Sequence, residues 1–474
     1  MRTSFQDPLD PSEIQAIHDT SMRVMENIGI QFPHEESLEI FRNHGFSTQG
    51  EIVYFTEEKV MDAIETVPGS FTIHARNPHR DVHIGNGFPV FAPGYGAPFL
   101  VDEKNRKRLP SMQDYHNLTC LAHCLPNQDL SGHLMIEPND IPSSISHVLM
   151  LHANMIHSDK PLIGSTYGKI GSENTIRMVE ILFGSEITES VVIGLLNPLS
   201  PLSYSPDTLD ALSVYAHNKQ PLILATLVMA GTTGPVTLAG VLAQQSAELL
   251  AGIVLTQIIN PGTPVLFGSS STNMDLRTST LSIGSPELSM CTSAHAQLAR
   301  FYGLPSRGGG ALTDSSMMDS QAGFESMLSL LTAINSGVDF VMHAAGIMSS
   351  FIAFSYEKFV LDDEMCGMVR HFAKGIEVNP ETLAYDVIAE IGHGGHFLGH
   401  RQTLERCRTE FWLPDVVDRD GLGDDSNNNH KGAVKKSRKR WLDLIAEHQD
   451  PPLDNLIKRQ LASFVAENSG IPPL

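Results

Sequence analysis

Short apolar runs alternate with helix-like stretches between residues 88 and 350 of the chain. Strands that alternate with helical patterns pair in parallel through helical crossovers. Eight such units predict a closed (β/α)8 barrel, in which active-site residues lie at the C-terminal ends of the strands. The eight apolar runs are Phe88 to Leu100, Asp129 to Ile136, Pro161 to Tyr167, Val191 to Leu199, Pro221 to Gly231, Pro264 to Ser271, Pro305 to Thr313 and Asp339 to Gly346.

The segments on either side of the predicted barrel (residues 88–355) have other patterns. Residues 1–87 predict an N-terminal lead-in of helices and short β pieces, with a helix start at Asp10-Pro11-Ser12-Glu13. Residues 356–474 predict a helical C-terminal extension, interrupted by a polar loop from Asp418 to Gly432. The helices predicted in the barrel and the extension cover residues 112–124, 143–156, 172–184, 206–218, 238–259, 285–302, 319–336, 356–375, 380–392, 402–410 and 438–466.

Charge and composition exclude several classes of protein. The 474 residues include 32 Lys and Arg against 54 Asp and Glu, a net charge of −22, whereas nucleic-acid binding requires phosphates to be neutralised. No uncharged apolar run reaches the about 20 residues of a membrane span, and the N-terminus lacks the apolar segment of a secretory signal. Five cysteines are typical of free thiols in a reducing compartment. We therefore expect a cytoplasmic protein with no membrane segment.

Two groups of potential metal ligands are visible in the sequence. Cys120-x-x-His123-Cys124 resembles half of a zinc site, but a structural zinc needs a second pair of ligands, and none follows nearby. Both cysteines lie on an apolar predicted helix, so packing is the favoured interpretation. A second group crowds a Gly-rich segment without a carboxylate at helical spacing. Its members are His393, His396 and His400. The sequence therefore predicts no metal site.

The end of the eighth predicted strand carries a candidate functional residue. His343 lies within the run Phe340 to Gly346, and a barrel places that position at its mouth. A buried histidine that is satisfied by a carbonyl group remains the alternative. Three aromatic residues follow and could face a cation with their electron-rich rings, although core packing is favoured for any one of them. They are Phe354, Tyr356 and Phe359.

Four segments in the right order along the chain resemble the trimethylamine methyltransferase (MttB) family. They are Gly234-Pro235-Val236-Thr237-Leu238-Ala239-Gly240; the stretch from Thr313-Asp314 through Asp319-Ser320-Gln321-Ala322-Gly323-Phe324-Glu325; Tyr356-Glu357-Lys358-Phe359-Val360-Leu361-Asp362; and Gly394-Gly395-His396-Phe397-Leu398 with Glu410-Phe411-Trp412 and Asp418-Arg419. The resemblance covers most of the chain. It implies a (β/α)8 barrel that moves a methyl group from an amine to the Co(I) corrinoid of a separate small protein.

The resemblance also limits the substrate. Trimethylamine enzymes of the family carry pyrrolysine near the barrel mouth, and the corresponding position here is at or near His343, which is a standard residue. A pyrrolysine imine can capture the lone pair of a tertiary amine, whereas a quaternary ammonium ion is already cationic and already activated. Family members without pyrrolysine act on quaternary amines such as glycine betaine, proline betaine, carnitine and γ-butyrobetaine. We therefore expect a quaternary amine, with glycine betaine preferred.

Roles for individual residues follow from this hypothesis. Arg307, in the seventh predicted strand, is expected to bind the betaine carboxylate, with a strand-end salt bridge as the alternative. His343 is expected to lie beneath the corrinoid, while Asp314, Asp319 and Glu325 shape the mouth or dock the partner. The aromatic residues expected around the ammonium group are Tyr95, Phe354, Tyr356 and Phe359.

The expected partners are a small corrinoid protein, a quaternary amine and a second copy of the chain in a homo-oligomer. No tightly bound cofactor is expected, because the corrinoid resides on the partner protein.

Two other functions stay open at the level of sequence. The same barrel can bind a betaine or a corrinoid protein without turnover. A metal-dependent barrel hydrolase requires a cluster of His and carboxylate ligands at strand ends. The sparse residues available for such a cluster are Tyr95, His133, Glu137 and His343.

Overall fold

A computed structural model describes residues 7–85, 87–102, 104–184, 187–417, 419 and 432–470. The predicted loop from Asp418 to Gly432 lies outside the described residues except for Arg419 and Gly432. The described helices are α1 (Pro11–Asn27), α2 (Glu35–Asn43), α3 (Glu57–Glu65), α4 (Met112–Cys124), α5 (Ser143–His157), α6 (Gly168–Phe183), α7 (Pro206–His217), α8 (Leu238–Ile259), α9 (Pro286–Phe301), α10 (Ser320–Asn335), α11 (Tyr356–Lys374), α12 (Tyr385–Ile391), α13 (Arg401–Glu410), α14 (Gly432–Glu447) and α15 (Asn455–Ser469).

The described strands are short. They are β1 (Ile30–Gln31), β2 (Ser47–Gln49), β3 (Ile52–Tyr54), β4 (Phe71–Ile73), β5 (Val82–Ile84), β6 (Val90–Phe91), β7 (Phe99–Val101), β8 (Lys107–Arg108), β9 (Leu162–Ile163), β10 (Val192–Leu196), β11 (Leu222–Thr226), β12 (Met229–Ala230), β13 (Val265–Ser269), β14 (Thr272–Asp275), β15 (Thr280–Leu281), β16 (Ser306–Gly309), β17 (Phe340–Met342), β18 (Ile347–Met348) and β19 (Ala353–Phe354).

Seven parallel strands form the central sheet, in the order β6-β17-β16-β13-β11-β10-β9. They correspond to seven of the eight predicted strands and keep the predicted neighbours. Alternate residues point to opposite faces of a strand. Ile193 and Ile223 accordingly join an inner apolar cluster, whereas Val192 and Leu224 belong to the large core that includes residues of the surrounding helices. The predicted parallel α/β architecture is therefore confirmed, as a curled seven-stranded sheet.

The second predicted strand, Asp129 to Ile136, does not join the described sheet as a strand. Its first residues nevertheless lie between the two edge strands: the Asp129 N–H donates to the Phe91 carbonyl (2.8 Å) and the Ser131 N–H donates to the Pro161 carbonyl (3.1 Å). Gly132 then adopts a φ of 81°, a left-handed conformation that turns the chain out of the extended path. The expectation of eight regular strands is corrected to seven for this reason.

The first predicted strand is also shorter than expected. The run from Phe88 to Leu100 contributes only β6 to the central sheet, because Pro93 and the left-handed Gly96 (φ 83°) redirect the chain. The residues beyond the turn form β7. This strand pairs with β19 and β8 in a separate four-stranded sheet that also contains β18.

The N-terminal segment packs against the outside of the sheet and one of its ends. Asp10 accepts hydrogen bonds from the Ser12 and Glu13 backbone N–H groups and starts α1 where the sequence predicts it. Helices α1 and α3 pack against α8. Helix α8 is the one described helix whose length and apolar character would suit a membrane span, and 78% of its most apolar window is buried inside the protein. The β4–β5 hairpin adds Ile73 and Ile84 to the inner apolar cluster.

The C-terminal extension returns to the barrel helices. One helix was predicted over residues 438–466, but the chain forms α14 and α15, separated by Pro451 and Pro452, which cannot continue a helix. Helix α14 packs against α11 and α4, and α15 packs against α5 and α6. Helices α12 and α13 bury none of their residues.

Candidate active site

Arg307 lies in the middle of the sheet and points to its inner face. It pairs with Phe340 of β17, which belongs to the inner apolar cluster, and paired residues of neighbouring strands share a face. Its Nη1 donates to the Ser269 carbonyl (3.0 Å) and to the Ser270 hydroxyl (2.5 Å). The side chain is only 2% exposed. These contacts hold the guanidinium group at the C-terminal end of β13.

The positive charge of Arg307 has no negative partner among the described residues. No described carboxylate lies within ion-pair distance, and the buried Nε has no hydrogen-bond acceptor in the described part of the chain. Burial lowers the pKa of Arg307 to about 9, because an ionised group loses solvation inside the protein. The strand-end salt bridge that the sequence left open is not formed with any described residue. The site therefore favours an external anion.

His343 follows β17 in a conformation that is rare for a residue with a side chain. Its φ is 57°, and the ring accepts a hydrogen bond at Nδ1 from the Tyr95 backbone N–H (3.1 Å). Burial, and then the positive charge of Arg307, hold the pKa of His343 well below 6.5. The neutral ring that accepts at Nδ1 carries its proton on Nε2. His343 is therefore an uncharged donor beside a buried cation.

A hairpin of β18 and β19 packs against His343. The ring of Phe351 lies 4.8 Å from the imidazole, measured between centroids. Ser349, Ser350 and Phe351 have φ values of 53°, 53° and 70°, so three consecutive non-glycine residues are left-handed. Such conformations cost free energy and concentrate at functional sites. Phe351 was missed by sequence reasoning, because no glycine or turn signal marks this loop.

Tyr95 lies at the end of the inner apolar cluster nearest to His343. Its backbone contacts His343, and its ring is partly buried against the inner cluster. Burial raises the pKa of the Tyr95 phenol to about 12, an effect opposed by a hydrogen bond with the Thr166 side chain. Tyr95 therefore remains a neutral aromatic residue next to His343, and its contact with a substrate stays a prediction.

The three aromatic residues that follow the eighth strand lie elsewhere. Phe354 and Phe359 are fully buried and pack against each other, with ring centroids 5.2 Å apart. Tyr356 stacks on Trp441 of α14 (4.6 Å) and donates to the Asp114 carboxylate of α4 (3.0 Å). The structure gives these three residues packing roles, which was the favoured interpretation for each one alone. Their expected contact with a substrate cation stays a prediction.

The acidic residues that were expected at the mouth organise its loops. Asp314 accepts hydrogen bonds from the Ile283 N–H (2.8 Å), the Gly284 N–H (3.0 Å) and the Ser350 hydroxyl (2.7 Å). Glu325 accepts from the Thr313 hydroxyl (2.6 Å). Asp319 caps α10 through the Ala322 N–H (3.0 Å). Asp314 thus joins the loop before α9 to the hairpin that covers His343.

The potential metal ligands at the strand ends do not form a metal-binding group. His133 is buried, with a pKa lowered to about 3 by loss of solvation, and among the described residues neither it nor Glu137 joins Tyr95 and His343 in a cluster of ligands. The nitrogen Nδ1 of His400 caps α13 (3.1 Å to the Gln402 N–H). The described residues contain one group of three potential metal ligands whose ligand atoms lie within 4.8 Å of one another, which is formed by Cys120, His157 and His448.

Comparison with known proteins shows the family of the chain. A family model described as trimethylamine methyltransferase (MTTB) matches residues 2–470. The chain belongs to this family. Glycine betaine methyltransferase of Desulfitobacterium hafniense (strain Y51) is 45% identical over 463 residues, which cover 97% of this chain and 96% of that protein. Proline betaine:corrinoid methyltransferase of Eubacterium limosum is 32% identical and covers 96% of each chain. The resemblance predicted from the sequence segments is confirmed, and the chain is a methyltransferase of the MttB family.

A solved structure supports the fold. The monomethylamine methyltransferase MtmB of Methanosarcina barkeri superposes with a TM-score of 0.55 over 92% of this chain and 88% of that chain, at 13% sequence identity. Identity at that level concerns the fold alone. The α/β architecture of the MttB chain is thus shared with a methyltransferase of distant sequence.

The segment from Tyr356 to Asp362, one of the four that resemble the MttB family, supports the loops around His343. Lys358 is 1% exposed, and its Nζ donates to the Asp362 carboxylate (2.6 Å), the Ser326 hydroxyl (2.9 Å) and the Ala311 carbonyl (3.1 Å). Asp362 in turn accepts from the Gly346 N–H (2.8 Å). Burial raises the pKa of Asp362 to about 6, although Lys358 opposes the shift. This pair fixes the chain after β16 and after β17.

Proposed function

We propose that this MttB-family enzyme transfers a methyl group from a betaine, with glycine betaine preferred, to Co(I) of a corrinoid on a separate small protein. The observation that carries the proposal is the buried, unpaired guanidinium group of Arg307. A buried ion without a counter-ion costs several kcal/mol, and a carboxylate ligand offsets that cost. The names of the two relatives described above are consistent with a betaine substrate.

The two ends of the substrate have different requirements. Arg307 suits the carboxylate, because a guanidinium group binds carboxylates through two parallel hydrogen bonds. The trimethylammonium group suits the neutral surroundings formed by Tyr95, His343 and Phe351. Aromatic faces attract an ammonium ion by about 0.5–2 kcal/mol each when water is excluded. A protonated histidine would repel the substrate, so the low pKa of His343 favours binding.

The reaction needs alignment rather than a general base. The corrinoid supplies a Co(I) nucleophile, which takes a methyl carbon while the carbon–nitrogen bond breaks and its electron pair stays on nitrogen. The products are methyl-Co(III) and a neutral tertiary amine. Arg307 and Tyr95 orient the substrate for in-line displacement, and orientation can contribute about 7–11 kcal/mol to rate acceleration in favourable cases. The Nε2 proton of His343 is available to a polar group at the mouth.

The proposal extends to the architecture and the partners. The hydrogen bonds of Asp129 and Ser131 support closure of the sheet into a complete barrel, in which residues 129–131 fill the gap between the edge strands β6 and β9. The end of the sheet at His343 is the proposed approach of the corrinoid protein, and the loops that contain Asp314 and Asp319 are proposed to shape this end or to dock the partner. A homo-oligomer in the cytoplasm completes the proposed description.

Substitution of Arg307 tests the proposed substrate. We expect Arg307→Lys to lower kcat/KM for glycine betaine by an amount equivalent to about 1.5–3 kcal/mol of transition-state free energy, because lysine keeps the positive charge but loses one of the two parallel hydrogen bonds to the carboxylate. Methyl-Co(III) formation is followed by visible absorbance with the reduced corrinoid protein as acceptor. The matched control is Arg177→Lys, an exposed ion pair on α6.

Choline provides a second test of carboxylate binding, because it has the trimethylammonium group without the carboxylate. The wild-type enzyme should methylate the acceptor from glycine betaine and not from choline. Equal turnover of both substrates, or an unaffected Arg307→Lys variant, would show that Arg307 does not bind the carboxylate. No transfer from any betaine in a panel of quaternary amines would favour the alternative of a binding protein.

A further inference from the structure

A group of thiols and imidazoles lies away from the proposed active site, between the barrel helices and the C-terminal extension. Cys120 and Cys124 are four residues apart on α4, so they share one face of that helix. His157 ends α5, and His448 follows α14. Potential ligand atoms of Cys120, His157 and His448 all lie within 4.8 Å of one another. The Cys124 Sγ is 3.5 Å from Nδ1 of His448.

This group lies at the end of the sheet opposite to His343. Lys160 immediately precedes the run that forms β9, and its Nζ donates to the carbonyls of Ala122 (2.6 Å) and Leu125 (2.9 Å) at the end of α4. The C-terminal half of α4 is therefore next to the beginning of a strand, whereas His343 follows the end of one. In barrel folds that end serves stability rather than catalysis.

Asp450 orients both imidazoles. Its Oδ1 is 2.6 Å from Nδ1 of His157 and 3.2 Å from Nε2 of His448. The carboxylate thus occupies one nitrogen of each ring and leaves His157 Nε2 and His448 Nδ1 for other partners. Histidines that bind metals commonly donate their second nitrogen to a carboxylate, which fixes the ring and strengthens it as a ligand.

We propose that Cys120, Cys124, His157 and His448 bind one Zn²⁺ ion, which joins the C-terminal extension to α4 and α5. Two thiolates and two imidazoles form a complete tetrahedral set, as expected for a structural zinc rather than a catalytic one. Ligand atoms around zinc are about 3.3–3.8 Å apart at the usual bond lengths. The Cys124–His448 separation already fits, and the separations among Cys120, His157 and His448 must contract by up to about 1.5 Å. Cys124 lies outside that group of three and must move closer to Cys120 and His157 when the ion binds.

The neighbouring groups determine what binding requires. His116 Nδ1 is 2.8 Å from His157 Nε2, so zinc replaces this contact. Loss of solvation, with Asp450 and Cys124 nearby, raises the pKa of Cys120 to about 12, and loss of solvation also raises the pKa of Cys124. Both thiols are therefore protonated in the metal-free protein, and binding must release two protons. The sequence favoured packing for these cysteines because they lie on an apolar helix and no second pair of ligands follows nearby, whereas His157 and His448 are distant in the chain.

Metal titration of the full-length protein tests this site without using methyl transfer. We expect the chelator-treated wild-type protein to bind one equivalent of Zn²⁺ and, with Co²⁺ as a probe, to show the thiolate charge-transfer absorption of a tetrahedral site. Cys120→Ser and His448→Gln should each weaken binding at least tenfold. The matched control is Cys407→Ser on α13, outside the cluster, and it should bind like the wild type.

Alkylation of thiols keeps the test informative if a variant fails to fold. In the wild-type protein, one equivalent of Zn²⁺ should slow modification of Cys120 and Cys124 and leave the rate at Cys407 unchanged. Absence of stoichiometric Zn²⁺ binding by the wild-type protein would overturn the proposal. Unchanged binding by the folded Cys120→Ser and His448→Gln variants would also overturn it.

Discussion

Conformation and protonation of His343 are set by different neighbours. The left-handed backbone follows from the turn after β17, whereas the neutral ring follows from burial, Arg307 and the hydrogen bond from Tyr95. An alanine in the left-handed region costs about 1–2 kcal/mol, whereas asparagine adopts it more readily. The two effects can therefore be separated by substitution.

We expect His343→Asn and His343→Ala both to slow methyl transfer, by about 10–100-fold if the ring supplies one hydrogen bond to a charged or strongly polar group. His343→Ala should in addition be the less stable of the two, because of its backbone conformation. Absorbance of methyl-Co(III) reports the first effect and thermal unfolding the second. Normal turnover in both variants would place His343 outside the reaction.

Position along the predicted strands singled out Arg307, His343 and Tyr95, and the structure places them near one another, while their roles stay predictions. The sequence did not identify Phe351 or Ser270. Phe351 reaches His343 through a left-handed loop that contains no glycine between residues 349 and 351. Ser270 follows β13 and contributes through its contact with Arg307 of the neighbouring strand β16. Both depend on tertiary geometry, which a pattern along one strand does not contain.

At the scale of elements, Asp314 is the residue that connects the loops around the site. It binds the loop at Ile283 and Gly284 and the hairpin at Ser350. The hairpin also depends on backbone hydrogen bonds from Ser349 to Ser315 (3.0 Å) and from Ser350 to Thr313 (3.2 Å). Its position over His343 is therefore shared between side-chain and backbone contacts.

Removal of the Asp314 carboxylate should loosen both loops at once. We expect Asp314→Ala to destabilise the protein by about 1–3 kcal/mol through unsatisfied donors and to increase hydrogen exchange in residues 282–284 and 347–354. Asp10→Ala is the control, since it removes the same kind of carboxylate from a helix start and should affect only the start of α1. Equal exchange in the two variants would mean that the backbone contacts alone hold the hairpin.

Elements were predictable where local signals agree with packing. Helices α4 and α8 have the predicted bounds, and α7 begins at the predicted Pro206. Strands were predicted too long, because proline and left-handed glycine stop them while the apolar pattern continues. The prediction of one continuous last helix was wrong, because the prolines Pro451 and Pro452, which interrupt a helix, were overlooked.

At the scale of the whole molecule, several histidines are buried in the neutral state. Burial lowers the pKa of His295 to about 4, and His295 lies between the Phe267 carbonyl (2.9 Å) and Gln245 (3.0 Å). A group with a lowered basic pKa binds fewer protons in the folded state, so its contribution to stability is present above the ordinary pKa of 6.5 and is lost as the pH falls towards 4. Buried carboxyl groups such as Asp362, with a raised pKa, act in the opposite direction.

A variant isolates the contribution of one histidine from these opposing effects. The stability difference between the wild type and His295→Gln should shrink by up to about 3 kcal/mol as the pH falls from 6.5 to 4, since each pKa unit corresponds to about 1.4 kcal/mol. Denaturant unfolding at a series of pH values measures the difference. A pH-independent difference for His295→Gln would contradict the assignment.

Under the proposed function, the buried charge of Arg307 has a directional consequence for a betaine that binds at the inner face of the sheet. A fixed cation below the opening attracts the acidic tail and repels the onium head, so the molecule can descend with only one end first. Its methyl groups then remain uppermost, facing whatever approaches from outside. The buried cation thus fixes the orientation of the substrate. A nucleophile that is too large to enter meets the reactive methyl carbon at the end of the sheet near His343.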